Sequence, residues 1–365
     1  MGTQNKIIIW CDGVDSMFLG EKNAAGIQVQ MSMWASVFSQ RGWSVYSFSR
    51  KINPADVNGI HFIRLCTSSL LSILHLQLIN DFLNCLIVLF RVKPRLIICR
   101  GSSRNIFFID LVAKMIGAKT IFFGASDLNF QIGKEPQRGS SFNTYLYRRG
   151  LRRINYFVTQ NSFQYKTLQS NYGKESIVIP NIWNNVSQLN TFHKQFDVIW
   201  VSNLKPLKRA EWVINLAKKA KCFKVAIIGG RANNAYYESI ESESKSIDNL
   251  YFGGPQPLDK TTRLIGESRV LLCTSTSEGF PNTFLQAWSQ GIPVISTVDP
   301  SGVIEENKLG IYVSNEDELL HAVRELLNDK NCYLKCVNNI SNYFQQYHSV
   351  ENAYNNLIKY IGEDE

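Results

Sequence analysis

Short apolar runs alternate with longer helical patterns along nearly the whole chain, and few folds accept that rhythm. In the first half the runs are Ile7–Cys11, Ser44–Phe48, His61–Leu65, Leu96–Cys99, Thr120–Phe123, Tyr156–Thr159 and Ile177–Ile179. In the second they are Val198–Val201, Val225–Ile228, Leu250–Phe252, Val270–Cys273, Val294–Ser296 and Ile311–Val313. Helical stretches such as Gln28–Gln40 and Phe107–Ile116 lie between several of them. Strand and helix in repeated alternation predict an α/β fold with parallel sheets, wound twice. Many runs are apolar throughout, as strands covered on both faces are. A chain of 365 residues exceeds one ordinary core and predicts two domains. The break is expected between Pro180 and Phe196, where the polar, turn-rich segment Asn181 to Gln188 suits a linker. That places an N-terminal domain over residues 1–185 and a C-terminal one over 186–345, with the last forty residues helical.

Composition narrows the partners. With 45% hydrophobic and 19% charged residues the chain is globular, and its net charge of +9 favours anionic ligands. The N-terminus carries no signal-peptide pattern, and Lys6 stands where a myristoylation signal needs Ser or Thr. The expectation is a cytoplasmic protein. Its eight cysteines, at 11, 66, 85, 99, 222, 273, 332 and 336, include no Cys-x2-Cys pair and read as reduced, mostly buried thiols. Cys332 and Cys336 lie one helical turn apart, with no further ligand nearby to complete a metal site. Ser69–Phe90 is strongly apolar, but Gln77, Asn80, Asp81 and Asn84 form a polar stripe at i, i+3, i+4 and i+7. An Asp at its centre argues against a spanning helix, so an amphipathic helix packed on a sheet is expected, with contact to a membrane surface as the secondary reading.

In wound sheets ligands bind beyond the carboxyl ends of strands, so the turns there carry the chemistry. After Val270–Cys273 comes Ser277-Glu278-Gly279-Phe280-Pro281-Asn282-Thr283, with a helix starting near Pro281 and Gln286 eight residues past Glu278. A carboxylate beside a helix N-terminus suits a phosphorylated sugar: free N–H groups hold the anion, the carboxylate holds hydroxyls. After Ile199–Val201, the loop Asn203 to Arg209 sets Lys205, Lys208 and Arg209 at a helix start. The dipole does not favour cations there; an anionic ligand explains them, and so does a solvated basic loop. Gly229-Gly230 and Gly253-Gly254-Pro255 follow two further strands, where binding turns and plain turns look alike. Gly26 precedes the first long helix, and Asp127 follows Ile121–Phe123 as either a substrate contact or a turn cap. Between Lys134 and Arg153, Lys134, Arg138, Arg148, Arg149, Arg152 and Arg153 oppose one Glu135. The last four are expected on one side of a helix, as a solvated face or a surface for anionic lipid. Tyr145, Tyr147 and Tyr156 interleave with these cations, but no RNA-binding signature accompanies them, so no nucleic-acid partner is expected.

Together these residues resemble the retaining glycosyltransferases of family 4, which have the GT-B fold, two Rossmann-like domains facing a central cleft. The resemblance covers most of the chain and is strongest from Phe196 to Val313. Ser277 to Asn282 followed by Gly291-Ile292-Pro293-Val294-Ile295 carries it, with support from Val178-Ile179-Pro180-Asn181 and Gly26. It implies transfer of a sugar from a nucleotide-diphosphate donor to a glycan or lipid-linked hydroxyl, without metal or other cofactor. It also implies that Lys208 binds phosphate, that Glu278 contacts the transferred sugar, and that the backbone of Gly279, Phe280, Pro281, Asn282 and Thr283 faces the diphosphate. Gly253 to Gln256, including Gly254 and Pro255, would lie near the base, with Gly230 on the same donor side. Gly26 and Asp127 would face the acceptor and the reacting sugar. The final helix, about 346–365, would cross back onto the first domain. Surface-polysaccharide or lipid-linked oligosaccharide assembly, at the inner face of a membrane, is the expected setting.

Three positions depart from the family. Asn203 stands where Arg is common, with Lys205 or Arg209 as compensating cations; Gln286 replaces the ribose-gripping Glu; and Ser126 replaces a His beside Asp127. They motivate an alternative, a catalytically degenerate subunit that scaffolds another enzyme. A nucleotide-sugar epimerase of the same fold is a third reading. The sequence carries no signal for donor, linkage or oligomeric state.

Overall fold

The computed structural model describes residues 5–18, 26–49, 55–65, 77–135, 141–183, 194–276, 278 and 280–362. The chain divides into two compact units, one holding the chain through Pro180 and again from Ala353, the other running Asn181–Asn352. In the first unit the elements are β1 (Lys6–Trp10), α1 (Val14–Phe18), α2 (Gly26–Gln40), β2 (Ser44–Ser49), β3 (Ala55–Val57) and β4 (Ile60–Arg64). They continue with α3 (Gln77–Val92), β5 (Leu96–Arg100), α4 (Asn105–Ile116), β6 (Lys119–Phe123), α5 (Ser141–Leu151), β7 (Tyr156–Thr159), α6 (Ser162–Tyr172) and β8 (Ile177–Val178). The sheet order is β3-β4-β2-β1-β5-β6-β7-β8. Every pairing is parallel except β3 with β4.

β1 is the pivot of this sheet: it pairs with β2 on one side and β5 on the other. Its Ile7, Ile8 and Ile9 are fully buried, because helices cover both faces. On one face α3, α4 and α5 pack Cys85, Leu89, Ile109, Val112, Tyr147 and Leu151 against Ile97 and Phe122.

The second unit contains β9 (Phe196–Val201), α7 (Glu211–Lys219), β10 (Val225–Ile228), α8 (Asn234–Ser244), β11 (Leu250–Gly254), α9 (Leu258–Gly266) and β12 (Ser268–Cys273). It continues with α10 (Asn282–Trp288), β13 (Val294–Ser296), α11 (Val303–Asn307), β14 (Gly310–Tyr312), α12 (Glu316–Asn328) and α13 (Lys330–Tyr347). Its six strands are all parallel, in the order β11-β10-β9-β12-β13-β14. The order reverses at β9, so the crevice for a ligand opens at the carboxyl ends of β9 and β12. Trp200, buried in β9, donates its indole N–H to Thr274 Oγ1 at 2.9 Å and ties these two ends together.

The last helix, α14 (Val350–Ile361), turns Ala353, Tyr354, Leu357, Ile358 and Ile361 inward at helical spacing. Its Tyr354 hydroxyl accepts the Trp43 indole N–H at 3.2 Å, and Tyr360 meets Tyr156 edge-on at 5.6 Å.

The sequence left the roll of α3 open: Asn84 is buried and Asn80 and Asp81, partly covered, line a cavity with the exposed Gln77, while Ile79, Leu83, Ile87 and Phe90 point outward. One expectation is corrected by packing: the four arginines near α5 do not form one basic face. Arg148 pairs with Glu135, and Arg153 with buried Asp110 at 2.8 Å, because each carboxylate needs a counter-charge; Arg149 and Arg152 stay exposed. Arg138, Cys66 and the linker from Asn184 onward to residue 193 lie outside the described residues.

Candidate active site

The carboxyl ends of β9 and β12 bring Lys208 and Glu278 together. The β9 strand leads into a short 3-10 turn at Pro206–Lys208, and Thr276 N–H donates to Leu207 O at 2.9 Å, holding that turn against the β12 end. Thr274 Oγ1 caps the same turn by donating to Lys208 O at 2.6 Å. Lys208 Nζ pairs with Glu278 Oε1, and Ser275 Oγ donates to the same oxygen at 2.9 Å. Both charged side chains are mostly covered, 16% and 22% exposed, so their attraction is less screened than a surface pair's. A cavity of about 430 Å³ opens beside Glu278, walled by Thr276, Thr297, Asp299, Glu305 and Tyr312. An ammonium set against a carboxylate at the rim of a polar cavity provides one group for a phosphate and one for sugar hydroxyls.

Arg209 has a different place from the one its spacing suggested. Its backbone is left-handed at φ 50°, which turns the side chain back onto the sheet end. The guanidinium donates to Thr274 O at 2.6 Å and to Ser275 O and Thr297 Oγ1 at 3.0 Å, and sits 3.9 Å over the Trp212 ring. It braces the loops that carry Lys208 and Glu278. Asn203 and Lys205 are exposed to solvent.

Glycine at 229 is a packing requirement, since a Cβ there would lie 2.1 Å from Ser202 O. Gly230 O accepts Leu204 N–H at 2.9 Å, which locks the Asn203 loop onto β10. Gly254 takes φ +58° at the end of β11, and Pro255 follows it, partly covered. Gly279 lies outside the described residues.

Pro281 stands at the N-cap of α10, ahead of Asn282 and Thr283. Phe280 anchors that helix start among Phe284, Trp288 and His348. Asn282 Oδ1 accepts from Asn181 Nδ2 at 3.2 Å, and His348 Nδ1 bonds to Asn181 O at 2.7 Å. Burial pushes the fully enclosed His348 imidazole down to about 4, so it is neutral and donates this bond. Gln286 is buried, and its amide donates to Thr262 Oγ1 at 3.0 Å.

Ser275, Thr297 and His348 were missed from sequence. Ser275 and Thr297 had a usable signal, since Thr297 sits directly after the predicted strand Val294–Ser296 and Ser275 two residues after Val270–Cys273. His348 had none.

In the first unit, Asp127 begins a 3-10 turn whose cap is Ser126, so Asp127 is not itself the cap. Its Oδ1 accepts from Asn161 Nδ2 at 3.1 Å and Gln164 Nε2 at 2.9 Å. Gly26 is the first residue of α2. A separate cavity of about 320 Å³ lies at the β1–β5 switch point, between Trp10, Phe48, Asp12, Gln28, Asn80 and Ser102. Asn105 Oδ1 also lines it, buried and without a hydrogen-bond partner among the described residues.

Residues 181–343 match the family model described as "Glycosyl transferases group 1". One curated relative, a glycosyltransferase 1 domain-containing protein 1 from Xenopus tropicalis, is 26% identical over 42% of this chain and 46% of its own. An O-antigen biosynthesis glycosyltransferase, WbnH, from Escherichia coli is 27% identical over 45% of this chain and 48% of its own. The matches thus span about half the length of these curated relatives. A solved structure of a sucrose-phosphate synthase from Thermosynechococcus elongatus superposes with a TM-score of 0.73, covering 99% of both chains at 15% identity. The fold is therefore GT-B.

Proposed function

We propose that the chain is a retaining glycosyltransferase of family 4 type, moving a sugar from a nucleotide-diphosphate donor to an acceptor hydroxyl. The observation that carries this reading is the Lys208–Glu278 pair at the switch point of the second unit. A bound diphosphate draws the Lys208 ammonium to its oxygens, and the freed Glu278 carboxylate accepts hydroxyls of the transferred sugar. As the bond from the anomeric carbon to the phosphate oxygen breaks, negative charge grows on that oxygen. Lys208 and the backbone around α10 stabilise it there. The acceptor oxygen bonds to the same face of the anomeric carbon, and its proton passes to the departing phosphate. This route needs no metal. Asp127, held by two amides, is assigned to the reacting sugar. Gln286 is assigned to the ribose. The setting is assembly of a surface polysaccharide or lipid-linked oligosaccharide, in line with the name of the E. coli relative.

The test is turnover of a nucleotide-sugar panel with and without chelator, with NMR of the anomeric configuration in the product. Turnover that survives chelator and keeps the donor's configuration supports the reading. Inversion, metal dependence, or an epimerised nucleotide sugar made without acceptor defeats it. A second reading, a degenerate binding subunit, draws on Arg209 being engaged by the loops and Asn203 being uncharged. Donor binding without turnover, across donors and acceptors, selects it.

A further inference from the structure

Helix α3 is apolar on the wrong side. Ile79, Leu83, Ile87 and Phe90 are between 40% and 53% exposed, and they recur at i, i+4, i+8 and i+11, one stripe about 16 Å long. Four large apolar side chains in line on one exposed helix face are a patch, not scattered surface residues.

The neighbouring helices extend it. Helices α3, α4 and α5 each lead into a parallel strand, β5, β6 and β7, so they run in one direction side by side. Phe82 on α3 meets Phe108 on α4 at 5.6 Å. A Cβ at Gly150 on α5 would lie 2.7 Å from Phe107 N on α4, so glycine there permits a close approach. Met115 on α4 and the stacked pair Phe142 and Tyr145 on α5 are exposed as well.

The charge on these helices has one sign. The carboxylates on them and just before α5 are neutralised: Asp81 by Arg104 at 2.8 Å, Asp110 by Arg153 and Lys114, and Glu135 by Arg148. Arg91, Lys93, Arg149 and Arg152 stand exposed at the carboxyl ends of α3 and α5. Cations there also suit the helix dipoles, but the dipoles do not account for the apolar stripe.

We propose that the outer face of α3, α4 and α5 docks on an anionic lipid bilayer. Ile79, Leu83, Ile87 and Phe90 enter the headgroup boundary, and Arg149, Arg152, Arg91 and Lys93 meet the lipid phosphates. This docking is independent of the catalytic reading, because none of these side chains belongs to the site around Lys208 and Glu278.

The test is co-sedimentation of the full chain with vesicles of phosphatidylcholine alone, or with about a third phosphatidylglycerol, at low and high salt. Binding is expected to the anionic vesicles and to weaken with salt. At roughly 1 kcal/mol per basic residue, Arg149→Gln with Arg152→Gln lowers the partition coefficient roughly 30-fold. Leu83→Ser with Ile87→Ser lowers it at least about tenfold, with circular dichroism unchanged. Equal binding to neutral vesicles, or no loss in either double variant, overturns the proposal. So does a wild-type dimer by sedimentation velocity that Ile87→Ser turns to monomer without altering vesicle binding, since the stripe would then join two copies of the chain.

Discussion

Removing the Glu278 charge should make the site bind the nucleotide diphosphate better and use the donor sugar worse. In the free protein Lys208 is held by Glu278, which also places a negative charge where the proposed diphosphate would bind. Any ligand phosphate has to displace that carboxylate. The pair is partly covered, 16% and 22% exposed, so its coupling should lie at the upper end of the exposed range, about 1 kcal/mol. Glu278→Gln keeps the size and the Ser275 contact but releases the ammonium. The free nucleoside diphosphate should then bind about fivefold tighter by isothermal titration calorimetry. Turnover should fall all the same, because the neutral amide holds sugar hydroxyls more weakly than a carboxylate. Lys208→Met acts in the opposite sense on binding. The diphosphate loses its cation, and kcat/KM should fall by about 2–4 kcal/mol, roughly 30- to 1000-fold. The opposed signs are what matter. If Glu278→Gln weakens diphosphate binding as much as Lys208→Met does, the pair is a structural bracket and the division of roles is wrong.

Gln286→Glu should retain turnover within a few-fold, shift donor KM, and cost about 1–2 kcal/mol in denaturant unfolding. The new carboxylate is buried, and Thr262 must give up its 2.8 Å bond to Leu258 O to donate to it. His348 makes stability depend on pH. Its value in the folded protein, about 4, lies below the unfolded value near 6.5, so the unfolded chain binds the extra proton. Stability is therefore full above about 6.5 and falls as pH drops toward 4, by about 3 kcal/mol, in urea titrations at each pH. His348→Phe should flatten that slope; an unchanged slope would place it on another group. Gly229→Ala should lower stability by about 3 kcal/mol in thermal unfolding, because its Cβ meets the Ser202 carbonyl oxygen.

The strands were legible because each is a short run that must be apolar on both faces. All thirteen predicted runs lie on observed strands, within two residues at the ends. The strand they omit, β3, is Ala-Asp-Val on the antiparallel edge, with no apolar run to mark it. The candidate site was legible where charged residues follow a strand end: the structure brings Lys208 and Glu278 together. It was not legible where direction decides. Spacing placed Arg209 among the phosphate cations, but a left-handed φ points it at Thr274 and Thr297 instead. His348 lies 167 residues from the Asn181 carbonyl it bonds, and no local pattern spans that distance.

Helix α3 shows why a periodic pattern fixes an element and leaves its orientation open. The stripe Gln77, Asn80, Asp81 and Asn84 is narrower than the apolar arc around it, and a narrow polar stripe normally faces water. Here the helix is rolled so that the stripe lines the cavity at the β1–β5 switch point and part of the apolar arc is left outside. Asp81 helps to explain the roll. Facing inward, its carboxylate meets Arg104 at the start of α4, with both side chains about one-fifth exposed. Rolled outward it would lose that partner, and Arg104 would be left with Asn143 as its other contact. The exposed Ile79, Leu83, Ile87 and Phe90 are the cost of that arrangement. A bilayer that covered them would offset it, so the cavity and the docking face are two consequences of one rotation.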